Sequence, residues 1–270
     1  MIARLAVTAA EIDAYERDGV VLLREVIPPE WVARLQAGIA EAMASPPPKA
    51  IYHRAKLGET AFYSEHGSYR RLPVFREFAP SGPTRAIAAA MMKSEKLNLY
   101  TDHIFVKEAG AGAPTPWHQD LPYWRFKGHQ VASLWIALDV VDSDNGGVDY
   151  VRGSHQGEKL YRPVEFGDDA KFDDMTFDRV PDIEARRSEF DIVNYELAPG
   201  DGIFFHARTL HGAPANVSKR ARRALSVRYC GDDVVFHEWP GLPPAPFSTE
   251  SLRPGDSLDE SDIYPRIWPE

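Results

Sequence analysis

The sequence has one cysteine, no long apolar run and no excess of basic residues. Because Cys230 is alone among 270 residues, the chain can form no internal disulfide and offers no thiolate cluster for zinc. We expect Cys230 to be a small buried hydrophobe on a strand. No apolar segment approaches the roughly 20 residues that span a bilayer, and the N-terminus lacks the apolar core of a signal peptide. These absences predict a soluble cytoplasmic protein with no membrane partner.

The charge balance is acidic, with 31 basic and 40 acidic residues and a formal net charge of -9. A general nucleic-acid binder needs a basic surface that neutralises phosphates, so we expect no nucleic-acid partner. A small-molecule substrate is compatible with this balance, because the local charge of a cleft can oppose the overall sign. The sequence predicts nothing about oligomeric state.

Length and periodicity indicate one domain covering residues 1–270. Helices are predicted at about 8–44, where Thr8 and Glu11 form a capping box and Pro28 and Pro29 precede a second helix. An Ala-rich helix is predicted at Thr84–Met92. Short strands separated by Gly, Pro and Asp turns then indicate a mainly β fold with flanking helices, a double-stranded β-helix or jelly roll, with its core at about 97–231. The predicted strands are Leu97–Lys107, Gln130–Val140, Gly147–Val151, Asp191–Leu197, Gly202–Phe205 and Arg223–Tyr229.

Three further segments have weaker patterns. Residues 49–83 are rich in Gly, Pro, His and Tyr and predict loops with a short hairpin. The charged stretch 157–190 predicts a long solvated loop, with a lid over the active site as the functional alternative. The proline-rich tail, about 239–270, predicts an extended strap on the surface.

The segment that carries chemistry is His118-Gln119-Asp120. On an extended strand, side chains two residues apart leave on the same face, so His118 and Asp120 would point to one place. His211, far along the chain, is the candidate for a third ligand. Two imidazoles and one carboxylate on one side of an iron(II) ion leave coordination positions open.

The motifs around these residues resemble the iron(II)- and 2-oxoglutarate-dependent oxygenases of the phytanoyl-CoA dioxygenase family. The resemblance rests on His118-Gln119-Asp120, Asn145-Gly146-Gly147 with Arg152-Gly153-Ser154-His155, His211-Gly212 with Asn216 and Ser218, and Arg222, and it runs from about Thr8 to Gly231. It implies that His118, Asp120 and His211 are the catalytic iron ligands. It further implies Fe(II), 2-oxoglutarate and O2 as cofactors and a hydroxylase that converts 2-oxoglutarate into succinate and CO2.

The same resemblance assigns residues to the co-substrate and the substrate. Arg222 matches the arginine that binds the far carboxylate of 2-oxoglutarate, while Thr101 and Lys107 lie on the strand where relatives place further contacts. Trp124 resembles a pocket-lining tryptophan of the related ectoine hydroxylases, and with Tyr123 it is our candidate for a substrate wall. Arg228 shares a strand face with Arg222, and is either a contact to an anionic substrate or an exposed strand arginine.

Two other functions fit parts of the pattern. A zinc-dependent hydrolase or isomerase could use the same two histidines and Asp120 with a bound water, but it would have no need of Arg222. A non-catalytic jelly roll would not need all three ligands. Halogenases of similar chemistry replace the ligand carboxylate by a small residue, so Asp120 disfavours halogenation.

Overall fold

The computed structural model describes residues 6–56, 60–164, 172–242, 251–260 and 262–269. The helices within these ranges are α1 (Ala9–Asp18), α2 (Pro29–Ala44), α3 (Pro73–Ser81) and α4 (Thr84–Met92). The strands are β1 (Val20–Leu23), β2 (Ile51–His53), β3 (Phe62–His66), β4 (Leu97–Lys107), β5 (Thr115–His118), β6 (Phe126–Lys127), β7 (Val131–Ala137), β8 (Asp149–Val151), β9 (Ile192–Asn194), β10 (Gly202–His206), β11 (His211–Ala213), β12 (Arg222–Cys230), β13 (Val235–Phe236) and β14 (Arg266–Trp268).

The strands form the jelly roll that the sequence predicts. The larger sheet has the order β1-β10-β7-β12-β4-β3-β2, with β14 added beside β4, and the smaller sheet has the order β5-β11-β8-β9. The central pairs of both sheets, such as β7 with β12 and β5 with β11, join strands that are distant in sequence, as in a double-stranded β-helix, whereas β2-β3-β4 and β8-β9 are consecutive strands. No helix in the described ranges is both long and apolar enough to cross a membrane.

Alternation along β12 separates an outer face from an inner face of the larger sheet. Leu225, Val227 and Tyr229 belong to the large apolar core that also contains the helices. Ala224 belongs instead to a second core that includes residues of the smaller sheet. Arg222 and Arg228 share the parity of Ala224, so their side chains leave β12 on the inner face, between the two sheets.

The N-terminal elements follow their predicted signals. The Thr8 side chain and the Glu11 side chain form a reciprocal capping box, and α1 ends at Gly19, whose φ of 73° is left-handed. The second helix starts at Pro29, and α4 has the predicted bounds. All six predicted strands are present, and their ends differ from the prediction by at most three residues.

Two predicted loops are wrong in part. Residues 49–83 contain the expected hairpin, β2 with β3, but also α3, in which Phe75 and Phe78 are fully buried. The stretch 157–190 is not simply solvated, because Phe172, Met175 and Ile183 are buried. Residues 165–171 lie outside the described ranges.

The C-terminal tail is not an extended surface strap where the structure describes it. Strand β14 pairs with β4 and so extends the larger sheet. Leu258 and Tyr264 are each 1% exposed and pack in an apolar cluster with Phe126. The prolines Pro243, Pro244 and Pro246 lie outside the described ranges.

Candidate metal centre

Three side chains from distant parts of the chain converge between the two sheets. The potential ligand atoms of His118, Asp120 and His211 all lie within 4.8 Å of one another. His118 Nε2 is 3.8 Å from Asp120 Oδ1, and the two imidazole rings are 4.1 Å apart between centroids. Such spacing lets one metal ion contact all three groups.

Strand pairing and a turn produce this convergence. His118 ends β5, His211 begins β11, and the two residues are direct cross-strand partners. Asp120 is not on an extended strand as we expected, because its φ and ψ of -72° and -42° are helical and it precedes a 3-10 turn at Leu121–Tyr123. The turn, rather than strand alternation, brings the carboxylate beside His118.

Backbone carbonyls fix the orientation of both imidazoles. Pro116 O lies 2.8 Å from His118 Nδ1, and Thr209 O lies 2.9 Å from His211 Nδ1. A carbonyl can only accept, so each Nδ1 carries the proton and each Nε2 presents its lone pair to a metal. Burial lowers the pKa of His118 and lowers the pKa of His211 to about 3, which keeps both rings neutral.

The carboxylate of Asp120 is held by two donors. Ser133 donates to Oδ2 over 3.0 Å, and Arg228 Nη2 lies 3.3 Å from Oδ1. Although burial raises the pKa of Asp120, the positive charge of Arg228 and the hydrogen bond from Ser133 act in the opposite direction, and the pKa lies below its usual value. Arg228 is only 7% exposed, so its interpretation as an exposed strand arginine is wrong.

A buried cationic pocket lies on the same inner face. Arg222 and Lys107 are direct partners across β12 and β4, and they are 2% and 0% exposed. Arg222 Nη2 donates to Gly146 O over 3.0 Å, and Lys107 Nζ donates to the carbonyls of Ala213 and Pro214. Within the described ranges, neither cation has a carboxylate partner. Burial lowers the pKa of Arg222 to about 10 and the pKa of Lys107 well below its usual value.

Unsatisfied donors show that this pocket fits a dicarboxylate. Arg222 Nε and the Tyr150 hydroxyl are buried, and no hydrogen-bond partner lies near either atom in the described structure. Tyr150 stacks on His211 with ring centroids 5.7 Å apart, so its hydroxyl belongs to the same region as the metal ligands. Buried donors without acceptors cost about 1 to 3 kcal/mol each, and the far carboxylate of 2-oxoglutarate would satisfy them.

The loop motifs position the cationic pocket. The Asn216 side chain donates to the carbonyls of Lys107, Glu108 and Arg220, and thereby ties the approach to β12 to the end of β4. Gly146 has a φ of 84°, and a Cβ there would lie 2.8 Å from Lys107 Cδ. A glycine is therefore required where the backbone passes Lys107.

The other predicted contacts are less close to the pocket. Thr101 pairs with Arg228 rather than with Arg222, and six residues of strand put it roughly 20 Å from Lys107. The structure thus does not bring Thr101 to the Lys107 and Arg222 side chains. Thr101 Oγ1 instead donates to Asp102 O.

The two aromatic candidates differ in exposure. Tyr123 is half-buried, stands edge-on to His118 at 5.8 Å, and exchanges hydrogen bonds with the backbone of Val164. Trp124 is 1% exposed, and its ring lies 5.6 Å from the Arg228 guanidinium. Trp124 therefore packs against the Arg228 guanidinium from the buried side and does not form an open substrate wall.

Sequence reasoning missed four polar residues of the inner face, namely Ser133, Tyr150, His66 and His103. Their roles depend on strand register, which places Ser133 opposite Arg228 and Tyr150 opposite His211. Alternation from Lys107 could have placed His103 on the inner face. His206, the histidine five residues before His211, does not join the triad, because its Nε2 lies 2.8 Å from His129 O.

A jelly roll with two histidines and an aspartate around one point, and with cations behind them, defines the class of mononuclear non-haem iron oxygenases. The family Phytanoyl-CoA dioxygenase (PhyH) matches residues 15–224, and the chain belongs to this family. Fe(II), 2-oxoglutarate and O2 are accordingly its cofactors, and it is a 2-oxoglutarate-dependent oxygenase.

The names of individual relatives refer to different dioxygenase substrates. A probable phytanoyl-CoA dioxygenase of Caenorhabditis elegans is 24% identical over 82% of this chain and 74% of its own length. A probable alpha-ketoglutarate-dependent hypophosphite dioxygenase of Stutzerimonas stutzeri is 31% identical over 55% of this chain and 49% of its own length. The match to the peroxisomal phytanoyl-CoA dioxygenase of Bos taurus spans 33% of that protein.

Solved structures share the fold at low identity. The alpha ketoglutarate dependent carbocyclase SnoK of nogalamycin biosynthesis has a TM-score of 0.78 at 24% identity, covering 97% of this chain and 96% of that chain. The epimerase SnoN, solved with Fe3+, alpha ketoglutarate and nogalamycin RO, has a TM-score of 0.75 at 24% identity over 96% of this chain and 97% of that chain.

Proposed function

We propose that the protein hydroxylates a small organic molecule, with His118, Asp120 and His211 as its iron ligands and Arg222 and Lys107 as its contacts to 2-oxoglutarate. The observation that carries this proposal is the pair of buried cations beside the triad. Burying a charge without a partner costs several kcal/mol, so a fold retains two such cations where an anionic ligand compensates them.

Each residue has a role in this reaction. When bound, the metal and co-substrate supply an oxidant by decarboxylating 2-oxoglutarate to succinate and CO2. His118 and His211 offer Nε2, and Asp120 offers a carboxylate oxygen that Ser133 and Arg228 keep in place. Arg222 can bind the far carboxylate through two N–H groups.

Several side chains prepare the same site without holding the metal. Lys107 adds positive charge beside Arg222, and Tyr150 adds a hydroxyl donor in an environment that is already dehydrated. The ring of Tyr123 stands at the exposed side of His118. Tyr123 and Arg228 are therefore our proposed substrate contacts, whereas Trp124 acts through Arg228.

The cationic pocket also separates this proposal from a zinc hydrolase or isomerase. A hydrolytic metal site needs three ligands and a water, and it gives Arg222 and Lys107 no anion to bind. Asp120 supplies the carboxylate ligand, which supports hydroxylation rather than halogenation. The names of the relatives include a carbocyclase and an epimerase, so the outcome depends on how the substrate lies beside the metal.

The test combines metal content with succinate release. Wild-type protein should bind one iron ion per chain and release succinate when substrate candidates are added with 2-oxoglutarate. His211→Ala should lose both properties, whereas the matched control His206→Gln should keep them, because His206 is bonded to a carbonyl. Incorporation of labelled oxygen from O2 into the product would identify hydroxylation. Loss of iron from His206→Gln with retention by His211→Ala would contradict the ligand assignment.

A further inference from the structure

Two histidines that do not belong to the metal triad share the inner face with it. His66 on β3 and His103 on β4 are direct cross-strand partners, and their rings stack at 3.5 Å between centroids. His103 is 6% exposed, whereas His66 is exposed. The pair therefore extends from the buried interior of the site, at His103, to the solvent, at His66.

One ring nitrogen of His103 lacks a hydrogen-bond partner. Ser64 Oγ lies 2.6 Å from His103 Nε2, and in the described structure His103 Nδ1 is buried without a hydrogen-bond partner. A serine hydroxyl can donate or accept, and in the tautomer in which it donates to Nε2 the ring proton is on Nδ1. His103 Nδ1 is thus a buried polar atom on the inner face that a ligand can contact.

Arg228 adds a second donor at the same place. It pairs with Thr101, while Ser226 pairs with His103, so Arg228 and His103 are diagonal neighbours on one face of the sheet. Arg228 uses Nη2 at Asp120, but its Nε is buried and has no acceptor among the described residues. Two neighbouring buried polar atoms, the Nε–H donor of Arg228 and Nδ1 of His103, therefore lack a partner in the described structure.

Acidic residues of these strands do not neutralise the cluster. Glu65 and Asp102 leave β3 and β4 on the outer face, where Glu65 contacts Arg71 and Asp102 accepts from the Tyr69 amide. The carboxylate available on the inner side is that of Asp120, which the metal shares. Iron(II), 2-oxoglutarate, Asp120, Arg222 and Arg228 together leave a formal charge of about +1 in a buried site even if Lys107 is neutral.

We propose that His66, His103 and Arg228 form a subsite for an oxyanion of the primary substrate, of the carboxylate or phosphate type. The excess positive charge favours an anion, and Arg228 Nε–H can donate to one of its oxygens. His103 can donate to a second oxygen from Nδ1 in the tautomer in which Ser64 donates to Nε2. His66, at the open side, meets the group as it enters. This inference rests on the proposed function, because the subsite lies beside the metal and its co-substrate.

The test uses the assembled complex of protein, Mn(II) and saturating 2-oxoglutarate, so that the co-substrate pocket is already filled. Small monocarboxylates and monophosphonates are titrated calorimetrically beside their uncharged amides or esters. We expect the charged compounds to bind at least tenfold more tightly than their matched uncharged partners. His66→Ala should weaken their binding roughly tenfold, the loss of a hydrogen bond to a charged group, and should leave the affinity for 2-oxoglutarate unchanged.

Controls separate the subsite from the fold and from the proposed function. His237→Ala removes a histidine that packs edge-on against Trp239 and should bind the anions like wild type. Arg228→Lys removes the Nε donor and should lose anion affinity, and the Mn(II) content measured in parallel separates this loss from a loss of the metal. Absence of any preference for the charged compounds, or equal anion binding by His66→Ala, would overturn the subsite. Failure of the wild type to bind 2-oxoglutarate would overturn the proposed function instead.

Discussion

Replacing Arg222 by alanine tests the proposed co-substrate pocket. The guanidinium is 2% exposed, keeps one N–H on Gly146 O, and has Nε without an acceptor in the described structure. Two charge-assisted hydrogen bonds to a carboxylate, at about 1.5 kcal/mol each, amount to about 3 kcal/mol. We therefore expect Arg222→Ala to weaken 2-oxoglutarate binding roughly 150-fold. Anaerobic titration of the Fe(II) protein with 2-oxoglutarate measures this loss through the visible charge-transfer band.

The neighbouring arginine provides a matched control. Arg223 leaves β12 on the outer side and forms an ion pair with Asp139, so Arg223→Ala should bind 2-oxoglutarate like wild type. Arg222→Lys keeps the charge but loses the planar fork, and we expect an intermediate affinity. If Arg222→Ala and Arg223→Ala bound 2-oxoglutarate equally well, the reasoning from buried charge would be refuted.

Three further predictions concern buried polar residues. Lys107→Met should lower the affinity for 2-oxoglutarate about tenfold, as measured by calorimetry. It should not lower the free energy of unfolding in urea, because the substitution also removes a desolvated charge. A clear loss of stability would contradict this prediction. Ser133→Ala should weaken iron binding about fivefold, the worth of roughly 1 kcal/mol for the hydrogen bond to Asp120, and unchanged iron affinity would argue against that role. Burial lowers the pKa values of His103 and His206 well below normal. Below about pH 6.5 the unfolded state therefore binds more protons than the folded state, and the apo-protein becomes less stable as the pH is lowered. Each of the two histidines should lower the free energy of unfolding by about 1 kcal/mol between pH 7 and pH 5.5. Urea unfolding at the two pH values measures this loss, and an unchanged free energy of unfolding would exclude neutral burial of these histidines.

Much of the fold could be predicted because its signals are local. The capping box at Thr8 and the prolines before α2 fix helix starts through hydrogen bonds and φ angles within a few residues. Helix α3 was missed because Pro73, Pro80 and the surrounding glycines suggest loops, whereas Phe75 and Phe78 are buried by tertiary packing. Strand β14 was missed because the pairing that makes Arg266–Trp268 a strand comes from β4.

The metal triad could be predicted from motif spacing, but its geometry could not. The sequence suggested alternation along a strand for His118 and Asp120, while the structure uses a turn after β5. Tyr150, His66 and His103 could not be selected, because only the register of distant strands places them beside His211 and Arg228. Trp124 was misassigned because an aromatic ring near a ligand can equally support the site from the core.

The central claim is that one metal ion and one 2-oxoglutarate molecule bind between the two sheets. An anaerobic crystal structure with Fe(II) and 2-oxoglutarate tests it most directly. We predict a metal ion bound by Nε2 of His118, a carboxylate oxygen of Asp120 and Nε2 of His211, with the far carboxylate of 2-oxoglutarate against Arg222 and Lys107. A metal ion held by other side chains, or 2-oxoglutarate bound away from these two cations, would contradict the account.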